Sequence, residues 1–171
     1  MTDYRQLERF LTDRLWQDAD IETARLMRAV VHQLRLDEPG LSKSDRKQLL
    51  GVRYICEAEI TNYPTDELRA IDQLWNEASG GKFGFTVQRQ VWSDYCGELR
   101  AIGDEGELQA TPGQYRNFAE KVGWAKKMSW LPYPELRFDI DAPKGHLPAA
   151  PFYAEEIGTG WAATLVEKLR C

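Results

Sequence analysis

Histidine and cysteine are scarce in this chain, with two and three residues among 171. Nucleophilic and general-base chemistry needs a base beside an activated nucleophile, and His32 and His146 give it little to draw on. No GxSxG, HExxH, Walker or GxGxxG pattern occurs, so hydrolase, metalloprotease and nucleotide-binding readings lack a local signature. Cys56, Cys96 and Cys171 are odd in number and far apart, which fits reduced thiols better than a disulfide framework and offers no zinc-finger spacing. No stretch approaches eighteen uninterrupted apolar residues, and no cationic start followed by an apolar run opens the chain, so neither membrane span nor signal peptide is expected. Lys and Arg number 22 against 27 Asp and Glu, a net charge of −5. That balance argues against a broad nucleic-acid or anionic-membrane surface.

Apolar residues at helical spacing are abundant. Tyr4, Leu7 and Leu11 predict a helix over 3–13, and Trp16, Ala19, Thr23, Leu26, Val30 and Leu34 predict another over 16–34, stopped by Glu38-Pro39-Gly40. Ser42 to Asp45 reads as a capping box opening a further helix. Leu68, Ile71, Leu74, Trp75 and Ala78 form the next stripe, ended by Gly80-Gly81. Val87, Val91 and Tyr95 step by four, which favours a helix from about Thr86 over the strand that Phe83-to-Val87 alternation suggests. Residues 97–113 read as a glycine-rich acidic surface loop. A helix over Tyr115 to Val122 follows, with Gly123 as its C-terminal cap. Five prolines make 124–151 irregular, with a short extended piece at Leu136 to Ile140. Gly160 onward predicts a short terminal helix carrying Trp161. The expectation is all-α: one helical domain over 1–151 with Pro/Gly-rich loops, and a C-terminal extension over 152–171.

Aromatic and glycine residues interleave at Trp75, Gly80, Gly81, Phe83, Gly84, Phe85 and Trp92. On spacing alone such rings read first as core, and second as walls for a flat apolar ligand. Lys82, Arg89, Arg116, Lys121, Lys126, Lys127 and Lys144 accompany them, as solvated charge or as partners for ligand carboxylates. His32 reads as structural. His146, in a proline-bounded loop, is open to either role.

Five blocks occur in one order: Trp16-Gln17-Asp18-Ala19-Asp20-Ile21-Glu22-Thr23-Ala24-Arg25-Leu26-Met27, Leu68-Arg69-Ala70-Ile71-Asp72-Gln73-Leu74-Trp75, Ser79-Gly80-Gly81-Lys82-Phe83-Gly84-Phe85-Thr86-Val87-Gln88, Val122-Gly123-Trp124, and Ala142-Pro143-Lys144-Gly145-His146-Leu147-Pro148. Together they resemble the genomes-uncoupled-4 family. The resemblance implies a fold like a cupped hand whose apolar palm takes protoporphyrin, magnesium protoporphyrin or, in some members, a bilin. It implies a non-catalytic monomer that stimulates magnesium chelatase through that enzyme's large porphyrin-binding subunit. The setting would be bacterial cytoplasm or plastid stroma.

On that resemblance the palm is expected from Phe83, Phe85, Val87, Gln88, Val91, Trp92, Val122, Trp124, Phe138 and Leu147. Lys82, Arg89 and Lys144 are expected at the propionates, and His146 is the candidate axial ligand to a bound metal. The alternatives are a bilin-binding or bilin-handling protein of the same fold, and an interaction module that keeps the scaffold but fills its palm with side chains. Covering on the order of 300 Å² of apolar ligand surface at about 25 cal/mol per Å² gives about 7 kcal/mol before association costs. Micromolar binding without covalent attachment is the expectation.

Overall fold

The computed structural model of the chain describes residues 2–37, 40, 42, 44, 57–97, 100–102, 107–109, 111–127, 129–153 and 168. Helix α1 (Arg5–Thr12) buries Leu7 and Leu11, and α2 (Trp16–Asp37) buries the Trp16, Ala19, Thr23, Leu26 stripe together with Met27 and Val31. Arg14 turns the chain between them at φ 58°. The α2 helix runs three residues past the expected 34, to Asp37. Ser42 and Ser44 apart, the capping box at 42–45 and the apolar run at 49–56 lie outside the described residues.

Helix α3 (Glu57–Thr61) is short, and α4 (Thr65–Ser79) begins directly after Pro64 and ends on left-handed Gly80 at φ 63°. Helix α5 (Phe85–Tyr95) confirms the four-residue step over the alternation. Its first turn is held by Asp72 of α4, whose Oδ1 accepts the Thr86 N–H at 2.8 Å, satisfying one of the free donors at a helix start. Helix α6 (Pro112–Val122) starts on a capping box, in which Thr111 Oγ1 accepts the Gln114 N–H at 3.2 Å and Gln114 Oε1 accepts the Thr111 N–H at 2.9 Å. Gly123, at φ 80°, ends it as expected.

Two expectations need correction. The 97–113 segment contains an antiparallel hairpin of β1 (Arg100–Ile102) and β2 (Glu107–Gln109), with Arg100 opposite Gln109 and Ile102 opposite Glu107. Its pairing comes from cross-strand neighbours, which loop-like composition does not register. The piece at Leu136 to Ile140 is not a strand. It follows a 3-10 turn (Tyr133–Glu135), and the Arg137 N–H is given to the His146 ring instead of a strand partner. A second small hairpin pairs β3 (Ala125–Lys126) with β4 (Ser129–Trp130), and another 3-10 turn covers Ala150–Phe152.

One apolar core runs through α1, α2, α4, α5, α6 and the 124–149 loops. Phe152 and Tyr153, at the start of the expected extension, pack against that same core. The expected terminal helix, Trp161 included, lies outside the described residues except for Lys168, whose Nζ donates to the Thr61 carbonyl at 2.6 Å.

Candidate functional site

The 142–148 block is sewn into the domain. Gln88 Nε2 donates to the carbonyls of Gly145 (3.1 Å) and Pro148 (2.8 Å), and Trp124 Nε1 donates to the His146 carbonyl at 2.8 Å. The Gly84 N–H reaches the Leu147 carbonyl, and the Gly145 N–H reaches the Lys82 carbonyl, each at 3.0 Å. His146 is buried. Its Nε2 accepts the Arg137 N–H at 3.2 Å, which assigns the ring proton to Nδ1 and directs it to the Val122 carbonyl at 2.5 Å. Burial holds its pKa below the ordinary imidazole value. Both ring nitrogens are therefore committed to the backbone, and the expectation of an axial metal ligand is corrected on that ground. Among the described residues no group of three or more His, Cys, Asp or Glu could hold a metal ion.

The expected palm side chains converge, but inward. Phe83, Phe85, Val87, Gln88, Val91, Trp92, Val122, Trp124 and Leu147 are all buried, and Phe138 is half-buried against them. Trp16, Trp75 and Phe83 form a packed triad with centroids 5.5 to 6.3 Å apart. A second set of rings makes a continuous network. Phe85 meets Phe152, which lies 4.8 Å from Trp124. Trp124 meets Phe118 and Tyr153, and Trp92 meets Phe118 and Tyr115.

The network then leaves the core. Tyr115 and Tyr153 both touch Trp130, Tyr153 touches Tyr133, and Tyr133 touches Phe138. Trp130 is 47% exposed. The outer aromatic face thus consists of Trp130, Tyr153, Tyr133 and Phe138, backed by buried Trp124. Of these, the family resemblance singled out Phe138 and Trp124. The available signal for the others was Trp130-Leu131-Pro132-Tyr133-Pro134, where prolines hold rings outside regular elements.

The expected cations separate. Lys82 Nζ donates to the Ile140 carbonyl at 2.6 Å, so it ties the turn between α4 and α5 to the 136–148 loop. Arg89 is half-buried on α5, and Lys144 is exposed beside Gly145. Lys126 and Lys127 sit exposed on the β3–β4 hairpin that carries Trp130, Lys127 with φ 48°. Lys121 lies over the Tyr95 ring at 4.5 Å, a cation–π contact. Among the described residues, three buried polar side-chain atoms have no hydrogen-bond partner: Tyr63 Oη, Gln88 Oε1 and Trp92 Nε1. Grooves of about 480 Å³ between the N-terminus, α2 and Pro64, and about 560 Å³ between α1 and α4, are lined by none of the expected site residues.

Fold and rings together define a mostly helical domain whose aromatic core breaks the surface on one side, and none of its described helices is long and apolar enough to cross a membrane. The chain belongs to the GUN4-like family, whose family model matches residues 1–167. It is 37% identical over 91 residues to the uncharacterized protein ycf53 of Porphyra purpurea, covering 53% of this chain and 32% of that one. It is 26% identical over 152 residues to the chloroplastic tetrapyrrole-binding protein of Arabidopsis thaliana, covering 83% and 46%. A Ycf53-like protein of Synechocystis sp. is 31% identical over 91 residues, 53% and 32% of the two chains. The matches thus span half or less of these relatives. Ligand-free GUN4 of Arabidopsis thaliana superposes with a TM-score of 0.64 at 24% identity, over 97% of this chain and 95% of that one. GUN4 of Chlamydomonas reinhardtii does so with 0.62 at 22%, over 96% and 88%. These two show a shared fold.

Proposed function

We propose that this chain is a non-catalytic tetrapyrrole-binding protein that takes protoporphyrin or magnesium protoporphyrin and regulates magnesium chelatase through the enzyme's large porphyrin-binding subunit. The observation that carries the reading is the ring network that ends at solvent on Trp130. A porphyrin is a flat disk with apolar faces and two carboxylates at one edge. Trp130, Tyr153, Tyr133 and Phe138 offer it rings to lie on, and Lys126 and Lys127 offer its edge charge-assisted contacts. Phe83, Phe85, Val87, Gln88, Val91, Trp92, Val122, Trp124 and Leu147 act behind that face as its rigid backing. With His146 committed to the backbone, binding draws on dispersion and water release, so metal-free and magnesium porphyrins bind comparably.

Titration with deuteroporphyrin, followed by quenching of tryptophan emission, tests the proposal. The expected result is saturable quenching in the micromolar range, weakened at least fivefold by Trp130→Ala. Unquenched emission at tens of micromolar overturns it. A parallel titration with a bilin sorts ligand class, and chelatase assays with and without the chain test the regulatory role. The competing reading, an interaction module whose hollow is filled by its own side chains, is favoured by the complete burial of Phe83, Phe85, Trp92 and Trp124. It predicts no quenching by either ligand.

A further inference from the structure

Asp20 is fully buried on α2, and no cation among the described residues pairs with it. Its Oδ1 accepts the N–H groups of Ala149 (2.7 Å) and Ala150 (2.9 Å), and its Oδ2 accepts Ala150 N–H and the Tyr133 hydroxyl, both at 2.9 Å. One carboxylate therefore fixes two separate segments. The first is the 3-10 turn that carries Tyr133. The second is the Ala150–Phe152 turn, which leads into Tyr153, whose hydroxyl donates to the Trp124 carbonyl at 3.2 Å.

A buried carboxylate without a counter-ion is an expensive way to join two loops, since desolvation opposes its charge. Burial indeed pushes the Asp20 pKa up to about 7 against the pull of its donors. Apolar contacts would join the same segments at lower cost, but they do not fix angles. Hydrogen bonds from two amides and a phenol do, and the groups they orient are the rings of the outer face.

We infer that Asp20 is a positioning residue for ligand binding: from behind the outer face, its carboxylate sets the orientation of the Tyr133 and Tyr153 rings on which a tetrapyrrole lies. The inference rests on the tetrapyrrole reading above. It assigns a role to a side chain that touches no ligand and lies on a different helix from every ring of that face.

The test uses the full chain, deuteroporphyrin, and two readouts, the dissociation constant and the induced Soret circular dichroism at saturation. The second is read per bound porphyrin, so that it reports the orientation of the chromophore and not the fraction of protein that is folded. Asp20→Asn and Tyr133→Phe are each expected to weaken binding at least threefold and to change the induced signal by half or more. Leu7→Ala, a core truncation in α1, is expected to lower the melting temperature and leave both readouts as in wild type. Should Asp20→Asn fail to fold, Tyr133→Phe decides, because it removes one of the bonds and keeps the ring. Wild-type binding with unchanged constants and signals in the variants overturns the positioning role alone. A Leu7→Ala change as large as theirs also overturns it. A wild-type chain that gives neither quenching nor an induced signal overturns the tetrapyrrole reading, and the positioning role with it.

Discussion

Trp75 donates its indole N–H to Thr23 Oγ1 at 2.9 Å, and Thr23 in turn donates its hydroxyl proton to the Ala19 carbonyl at 2.8 Å, both side chains fully buried. The relay joins α4 to α2 inside the core and explains a polar residue on the apolar stripe. Replacing Thr23 with Val keeps the shape and strands the indole N–H, a loss of about 1–3 kcal/mol by the usual cost of an unsatisfied buried donor. Urea denaturation should register that loss, and Thr23→Ser should recover most of it. Equal midpoints for the Val variant and wild type would contradict the relay.

Gly84 and Gly80 share a left-handed backbone but differ in what surrounds them. A Cβ on Gly84, at φ 122°, would stand 2.7 Å from Asp72 Oδ1, the atom that caps α5, whereas nothing lies within 4 Å of one on Gly80 at φ 63°. Gly84→Ala therefore combines backbone strain of about 1–3 kcal/mol with a disturbed cap worth about 1 kcal/mol. Gly80→Ala carries only the left-handed cost of about 1–2 kcal/mol. Thermal unfolding of both should rank Gly84→Ala clearly lower, and the reverse order would contradict the Asp72 contact.

The helices were legible because periodicity is local: the stripes through Leu7, Leu26, Ile71 and Phe118 each fall on the buried face the spacing predicts. Glycine caps at 80 and 123 followed from the same rules. The β1–β2 hairpin was not legible, since its pairing is decided across the turn and not along the chain. At the site, sequence located the rings of 83–92 and 122–124 but not the direction they point. Whether Trp124 faces a hollow or a neighbour depends on Phe152 and Tyr153, nearly thirty residues away. The bond that Lys82 makes was not legible for the same reason, because the Ile140 carbonyl it meets is supplied by a distant loop.

His146 makes stability depend on pH. In the native state burial holds its pKa below 6.5, while the unfolded imidazole takes a proton near that value. The unfolded state then binds more protons, so this contribution is complete above about pH 6.5 and is lost as pH falls, with a limiting slope of about 1.4 kcal/mol per pH unit. A protonated Nε2 would also confront the Arg137 N–H, donor against donor. Asp20 acts in the opposite sense: with its native pKa at about 7, above the ordinary 3.8, it removes stability as pH rises between those values. Urea unfolding at pH 5 and pH 8 separates the two. His146→Gln should flatten the acid-side loss, and Asp20→Asn should steepen it. Wild-type slopes in both variants would refute these assignments.

The β3–β4 hairpin that carries the exposed ring of Trp130 also carries the exposed Lys126 and Lys127, and charge there should act on ligand carboxylates without touching the core. Each exposed pair contributes only about 0.2–1 kcal/mol, so removal alone is a weak test. Reversal adds repulsion to the lost attraction. The double variant Lys126→Glu, Lys127→Glu should weaken deuteroporphyrin binding about tenfold, which is about 1.4 kcal/mol. The wild-type advantage should shrink as salt screens it. The dimethyl ester of the same porphyrin, which has no charge at its edge, should bind both proteins alike. Lys144→Glu is the matching arm for the other exposed cation: an effect there, with none from the hairpin pair, would move the carboxylate edge of the ligand to the 142–148 loop. Equal loss of acid and ester in the hairpin variant would mean that the lysines shape the face and do not hold charge.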